Sequence, residues 1–198
     1  MNSKMLKGAF AGLVLSISGF ANAGLIEIDF DNLSSGTIVG ANYISQGVEF
    51  VDATIVSIGL PGMSAPNGIN RLGDYQFFQD NPIVAIFSDL ISSVSLTGYD
   101  VGANGFIMKA FDAQVGGNLL QSISFVGPGV GVGTNHLLTL DVGGIRRVEF
   151  SQISSVSGDG VVFDNFSFTT KAIPEPTTIA IFALGIMGLA ARRFNASK

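Results

Sequence analysis

The stretch Leu25-Ile26-Glu27-Ile28-Asp29-Phe30-Asp31 decides how the chain folds. Ile26, Ile28 and Phe30 fall on one face and Glu27, Asp29 and Asp31 on the other. Successive side chains leave a strand on opposite sides, so this alternation marks a half-buried β-strand. Working outward, short apolar segments recur along the chain. They are Gly47–Val51, Thr54–Ile58, Ile83–Phe87, Ser92–Tyr99, Gly105–Phe111, Leu119–Phe125, His136–Val142, Ile145–Phe150 and Val161–Phe168. Gly, Asn, Asp, Ser and Pro clusters separate them, and no amphipathic helix pattern interrupts the series. The expected fold class is all-β, a jelly-roll-like β-sandwich. Residues 59–74 contain Pro61-Gly62, Pro66-Asn67-Gly68 and Gly73 and read as a long loop. GPGVGVG, at residues 127–133, reads as a second loop or a flexible crossing. Val161 and Phe163 are out of phase with Phe166 and Phe168, which predicts a bulge at Asp164 and Asn165.

The two ends have a different character. Lys4 and Lys7 precede an apolar run from Ala9 to Phe20, and Ala21-Asn22-Ala23 supplies a small-x-small site. This is the pattern of a secretory signal peptide cut by signal peptidase after Ala23. The run is shorter than the ~20 residues of a membrane span, which disfavours a permanent N-terminal anchor. At the other end, Pro174-Glu175-Pro176 is followed by an uncharged segment from Thr177 to Ala191 and then by Arg192-Arg193. As a helix, that segment would reach roughly 22 Å at 1.5 Å per residue, against a hydrocarbon core of ~30 Å. The arginines would stay on the cytoplasmic side and leave the preceding domain outside the inner membrane. The organisation read from these features is residues 1–23 as signal peptide, 24–171 as a β-sandwich domain, and 172–198 as tail. The tail divides into Pro174–Pro176, an apolar helix over 177–191 and a basic end over 192–198.

The order Pro174-Glu175-Pro176, apolar segment, Arg192-Arg193 resembles the PEP-CTERM sorting signal. The resemblance implies recognition by a membrane-embedded exosortase, cleavage near the tripeptide, and a mature protein without the tail helix. It further implies a Gram-negative host that makes extracellular polysaccharide, with the product at the cell surface or in the matrix. A plain C-terminal anchor is the competing reading. The middle of the chain is similar to β-sandwich domains common among such proteins. The likeness runs through Phe30-Asp31-Asn32-Leu33, the turn at Gly36, Tyr43 with Gly47-Val48 and Phe50, and Phe111-Asp112-Ala113 with Gly116-Gly117-Asn118. It closes on Ile145, Val148 and Phe150 and then Phe163-Asp164-Asn165-Phe166-Ser167-Phe168.

Between Gly24 and Ala172 five basic residues face fourteen acidic ones, a net charge of −9. Nucleic-acid binding is excluded as a primary role, because it requires cations to replace the counterions of the phosphates. The chain has no cysteine, so neither disulfides nor thiol chemistry contribute. GPGVGVG is followed by neither a helix pattern nor Lys-Ser/Thr, so it is no phosphate loop.

Asp29, Asp31 and Asp164 are the candidate metal ligands. A fold that pairs its first and last strands would bring the three together, and calcium takes six to eight oxygen ligands. A structural calcium is accordingly the one cofactor the residues suggest. The competing reading is that these Asp and Asn side chains cap turns or face water. His136 is the only histidine; Ser154 or Ser155 would be its nucleophile in a hydrolase, yet no G-x-S-x-G elbow is present. Glu27, Glu49 and Glu149 are the carboxylates open to a glycosidase reading, with nothing in the spacing to set two of them across a cleft. Tyr75, Phe77 and Phe78 are candidates for a sugar platform, though phenylalanine more often serves the core. Together these readings favour an exported, non-catalytic protein that is structural or adhesive and associated with extracellular polysaccharide. A carbohydrate-binding module is the alternative, and a secreted glycoside hydrolase a more distant one. The expected partners are signal peptidase, exosortase, the inner membrane transiently through the tail, and polysaccharide.

Overall fold

In the computed structural model the described residues are 24–57, 67–71, 81–130, 133–154, 160–171 and 185. The signal peptide, its site at Ala21 and Ala23, and the tail helix with Pro174–Pro176, Arg192 and Arg193 lie outside them. So do Tyr75, Phe77, Phe78 and Ser155. Among the described residues no helix is long and apolar enough to cross a membrane. Gly24–Lys171 is one compact unit.

The unit Gly24–Lys171 is built from nine strands: β1 (Leu25–Ile28), β2 (Val48–Val51), β3 (Ala53–Ser57), β4 (Asn67–Arg71), β5 (Ile83–Val101), β6 (Phe106–Phe111), β7 (Leu119–Phe125), β8 (Thr134–Gln152) and β9 (Val162–Thr170). A 3-10 turn, Ile44–Gln46, precedes β2. All pairings are antiparallel, in the order β3-β4-β9-β5-β8-β6-β7, with β1 added to β9 and β2 to β5. The all-β expectation holds.

Two sequence readings change. The pairs Ile83–Phe87 with Ser92–Tyr99, and His136–Val142 with Ile145–Phe150, are not four strands but two long ones of 19 residues each, β5 and β8. Each pairs in two blocks separated by an irregularity around Ile91↔Ile145. There β8 carries Gly144 at φ +93°, a conformation that glycine adopts without a Cβ penalty. The first half of β5 lies beside β2, and the second half of β8 beside β6. The second half of β5 instead joins β9. The two long strands therefore turn a corner and pass from one layer to the other, as in orthogonal β packings. The second change is β4, formed within the stretch read as a loop. Its Ile69 is fully buried and pairs with both Ile55 and Phe163. One apolar residue among Asn and Gly carries too little periodicity to announce a strand.

The core explains why the layers close. The side chains of β9 alternate inward at Phe166 and Phe168, and Phe163 is inward on the other side of a register shift. That shift sets Ser95↔Ser167 but Thr97↔Asp164, so β9 holds one extra residue, the bulge expected from the phase change. Each β9 ring meets rings from the opposite layer. Phe163 lies 5.4 Å from Phe106 and 5.1 Å from Phe150. Phe166 is 5.1 Å from Phe50 and 6.2 Å from Phe87, and Phe168 is 5.1 Å from Phe87. These centroid separations are those of favourable edge-to-face and offset aromatic pairs.

β1 is shorter than the alternation over residues 25–31 suggests. It pairs with β9 from Leu25↔Thr169 to Ile28↔Phe166 and then stops. Phe30 takes φ +58°, while its ring stays buried against Tyr43 and Phe50 at 5.6 and 5.5 Å. Asp29 Oδ1 accepts the backbone N–H of Asp31 at 3.2 Å, which turns the chain out of the sheet. The first and last strands do pair, as expected. Gly24 N–H donates to Thr170 Oγ1 at 3.2 Å, and Thr170 N–H donates to the Gly24 carbonyl at 3.1 Å.

Phe166 touches rings from β2, β5 and β8, so Phe166→Ala should cost about 3–5 kcal/mol. Urea unfolding followed by far-ultraviolet circular dichroism measures this. A loss below about 1 kcal/mol would show that the layers are not held by this ring.

Candidate functional site

The most unusual electrostatics of the domain lie where β1 ends against the bulge in β9. Asp164 is completely buried. Its Oδ1 accepts the backbone N–H of Asn165 at 2.7 Å, while Oδ2 is buried without a hydrogen-bond partner. Burial pushes the Asp164 carboxyl up to about 6; the Asn165 N–H lowers it, and the charges of Asp31 and Asp29 raise it further. A carboxylate removed from water favours its neutral form unless a positive partner is supplied.

Two tyrosines report the same corner. Tyr43 is buried and donates its hydroxyl to Asn32 Oδ1 at 2.5 Å. Burial first, then the charges of Asp29, Asp31 and Asp164, push its hydroxyl up to about 12. Tyr99 accepts the side-chain amide of Asn165 at 2.8 Å. Burial and the Asp164 charge raise its hydroxyl too, and the bond to Asn165 lowers it. Asn165 holds φ +51°, a left-handed conformation asparagine tolerates better than most residues. The structure therefore brings Asp29, Asp31 and Asp164 within range of one another's charge. Among the described residues, however, no three acidic or histidine side chains are grouped closely enough to hold a metal ion. Asp29 is also committed to its turn through Asp31.

The remaining candidate residues take other places in the sheet. The His136 ring stacks on Phe125, with centroids 3.6 Å apart and planes 6° from parallel. The Ser154 hydroxyl donates to the Asn104 carbonyl at 3.4 Å. The hydrolase pairing of His136 with Ser154 gains no support from these contacts. Glu149 lies 3.0 Å from Arg147 Nε, and that guanidinium sits 4.2 Å over the Phe111 ring. Glu49 is exposed on β2. In the hairpin after β6, Asp112 accepts the backbone and side-chain N–H groups of Asn118 at 2.7 and 2.9 Å, which hold its carboxyl below the usual range.

Sequence reasoning missed one feature. An open trough of about 500 Å³ runs across β1, β9, β5 and β8. Its lining includes Glu27, Asp29, Ser95, Thr97, Leu137, Asn165 and Ser167. The signal was present as outward-facing Ser and Thr on strands whose alternate residues are core, but their alignment needs the register.

Residues 172–193 match the PEP-CTERM protein-sorting motif. This sorting motif follows directly on the residue that ends the compact domain, Lys171. It implies exosortase-dependent export and delivery to the cell surface. No curated protein matches the chain. Among solved structures, the chain is similar to a cleaved adhesin domain of Lys-gingipain, with 12% identity and a TM-score of 0.51 over 74% of this chain and 100% of that one. Another cleaved adhesin domain of Lys-gingipain, from Porphyromonas gingivalis, matches at 12% identity and a TM-score of 0.48, over 75% and 99% of the two chains. A family 35 carbohydrate binding module from Clostridium thermocellum matches at 13% identity and a TM-score of 0.35, over 74% and 98%. At such identities the likeness to the first adhesin domain shows a shared β-sandwich fold.

Asp164 gives the site a measurable pH signature. Its folded pKa, about 6, stands above the 3.8 of an aspartate in water, so the native state holds the proton more tightly than the unfolded chain. The resulting stability is full below about pH 4 and is lost as pH rises through about 6. In a chelating buffer, the unfolding free energy should fall by about 2 kcal/mol across that window. Asp164→Asn should flatten this limb. Urea titrations at several pH values check both, and a limb unchanged in the variant would assign the effect to another group.

Proposed function

We propose that the chain is a non-catalytic surface protein of a Gram-negative bacterium, retained in or adhering to extracellular polysaccharide after exosortase removes the tail. The observation that carries this reading is the sorting motif immediately after a compact all-β unit. Because β1 and β9 are zipped together, both ends of the unit leave from the same strand pair. The unit needs no further chain to complete its sheet there. In this reading Ala21 and Ala23 form the signal-peptidase site. Pro174, Glu175 and Pro176 are the exosortase recognition element, and Arg192 and Arg193 orient the tail in the inner membrane. The acidic surface suits a soluble matrix component. The contacts of Glu149 with Arg147, of His136 with Phe125 and of Ser154 with Asn104 support a role without catalysis.

A second element of the reading concerns calcium. The buried Oδ2 of Asp164, without a hydrogen-bond partner and within range of the charges of Asp29 and Asp31, supports the reading of a structural calcium at this corner. Small movements of the turn at Asp29–Asp31 would be needed to complete an oxygen shell.

Intact mass of the mature protein from its native host tests delivery. The expected result is loss of residues 1–23 and of the segment beyond Pro174–Pro176; a mass that retains Thr177–Lys198 would make it a tethered periplasmic protein. For calcium, 1 mM CaCl2 at pH 7.5 should raise the melting temperature of that mature protein by several degrees, since a ligand bound only by the native state stabilises it. The rise should shrink at pH 4.5, where Asp164 is protonated, and vanish in Asp164→Asn. An unchanged melting temperature at pH 7.5 would remove calcium from the reading.

A further inference from the structure

The trough across β1, β9, β5 and β8 has a lining chemistry that the sorting motif does not explain. Strand register aligns its side chains into rows. Glu27 pairs with Ser167, Ser167 with Ser95, and Ser95 with Thr139. None of these four is buried, and Ser95 Oγ and Thr139 Oγ1 are hydrogen-bonded at 2.9 Å. One row along, Leu137 pairs with Thr97, which pairs with Asp164 at the bulge. The bulge inserts Asn165 there, exposed and with its amide bonded to Tyr99. The result is a carpet of small hydroxyls, bounded by the carboxylates of Glu27 and Asp29 and the amide of Asn165, with Leu137 (56% exposed) as the apolar contact.

Three features restrict the occupant. The lining contains no lysine or arginine, and the domain is strongly acidic, so anionic polymers are repelled. The lining is rich in groups that both donate and accept hydrogen bonds, with carboxylates that accept two or more. That combination complements vicinal hydroxyls. The volume of about 500 Å³ lies within the range of small-ligand sites, and the trough is open, so a chain can lie along it.

From this arrangement we infer that the trough binds a neutral polysaccharide chain. Glu27 and Asp29 accept hydrogen bonds from sugar hydroxyls, Ser95, Thr97 and Ser167 bond to the ring edge, and Leu137 packs against the C–H face. This inference rests on the matrix reading above and names the site through which the domain would be retained. A trough also suits an extended chain better than a single sugar, because the rows continue across four strands.

Affinity electrophoresis of the mature protein through native gels containing xylan, barley β-glucan, galactomannan or hydroxyethylcellulose provides the test. At least one of these should retard the wild type. Glu27→Gln and Leu137→Ala, both surface substitutions, should each weaken retardation about five-fold or more. Glu49→Gln, on β2 away from the trough, should leave it unchanged. If the wild type is retarded and the trough variants behave identically to it, the site is wrong while the matrix reading stands. Retardation in none of the gels overturns the neutral-glycan inference, and the mass measurement then decides separately whether the protein is sorted to the surface. Release of reducing ends from any of the polymers would overturn both this inference and the non-catalytic reading.

Discussion

Three phenylalanines of the last strand hold the two layers together. Phe163, Phe166 and Phe168 project from β9 into rings supplied by β2, β5, β6 and β8, so one strand contacts much of the opposite layer. Aromatic rings carry more buried area per residue than any aliphatic side chain. A domain without disulfides must draw its cohesion from such burial. The β9 bulge follows from this demand. Rings at residues 163 and 166 are three apart, and a regular strand would turn one of them to solvent; the extra residue returns both to the core.

The same bulge creates the polar chemistry of the domain. It buries Asp164 where a regular strand would have turned it outward, and it exposes Asn165 in a left-handed conformation. The carboxyl is taken out of water with one unbonded oxygen, and this burial, added to by the charges of Asp31 and Asp29, raises its affinity for protons. On the outer surface the bulge sits at the floor of the trough, between Ser95↔Ser167 and Thr97↔Asp164. Core packing, a perturbed carboxyl and a surface depression are thus consequences of one inserted residue. Bulges occur near functional sites for this reason, since they redirect side chains without breaking the sheet.

The closure of β1 on β9 has a separate consequence for delivery. Gly24, which follows Ala23, and Thr170, two residues before the sorting motif, are joined by backbone and side-chain hydrogen bonds. The ladder of β1 with β9, from Leu25↔Thr169 to Ile28↔Phe166, uses no residue outside Gly24–Thr170, which is compatible with the cleavages proposed above.

By itself, the sequence determined the all-β class, most strand positions, the bulge at Asp164 and Asn165, and the sorting motif. Each depends on neighbours within a few residues: period-two alternation, a local phase change, or a contiguous tripeptide and apolar run. Tertiary structure decided what depends on register between distant segments. It fused two pairs of predicted strands into β5 and β8, because a corner at Gly144 and Ile91 looks locally like a strand break. It made a strand of Asn67–Arg71, whose buried Ile69 is recruited by Ile55 and Phe163. It ended β1 at Ile28, where Asp29 caps a turn instead of continuing the ladder. The trough is the clearest case. Glu27, Ser95, Leu137 and Ser167 are unremarkable where they stand in the chain, and only the pairing of β1, β9, β5 and β8 sets them side by side.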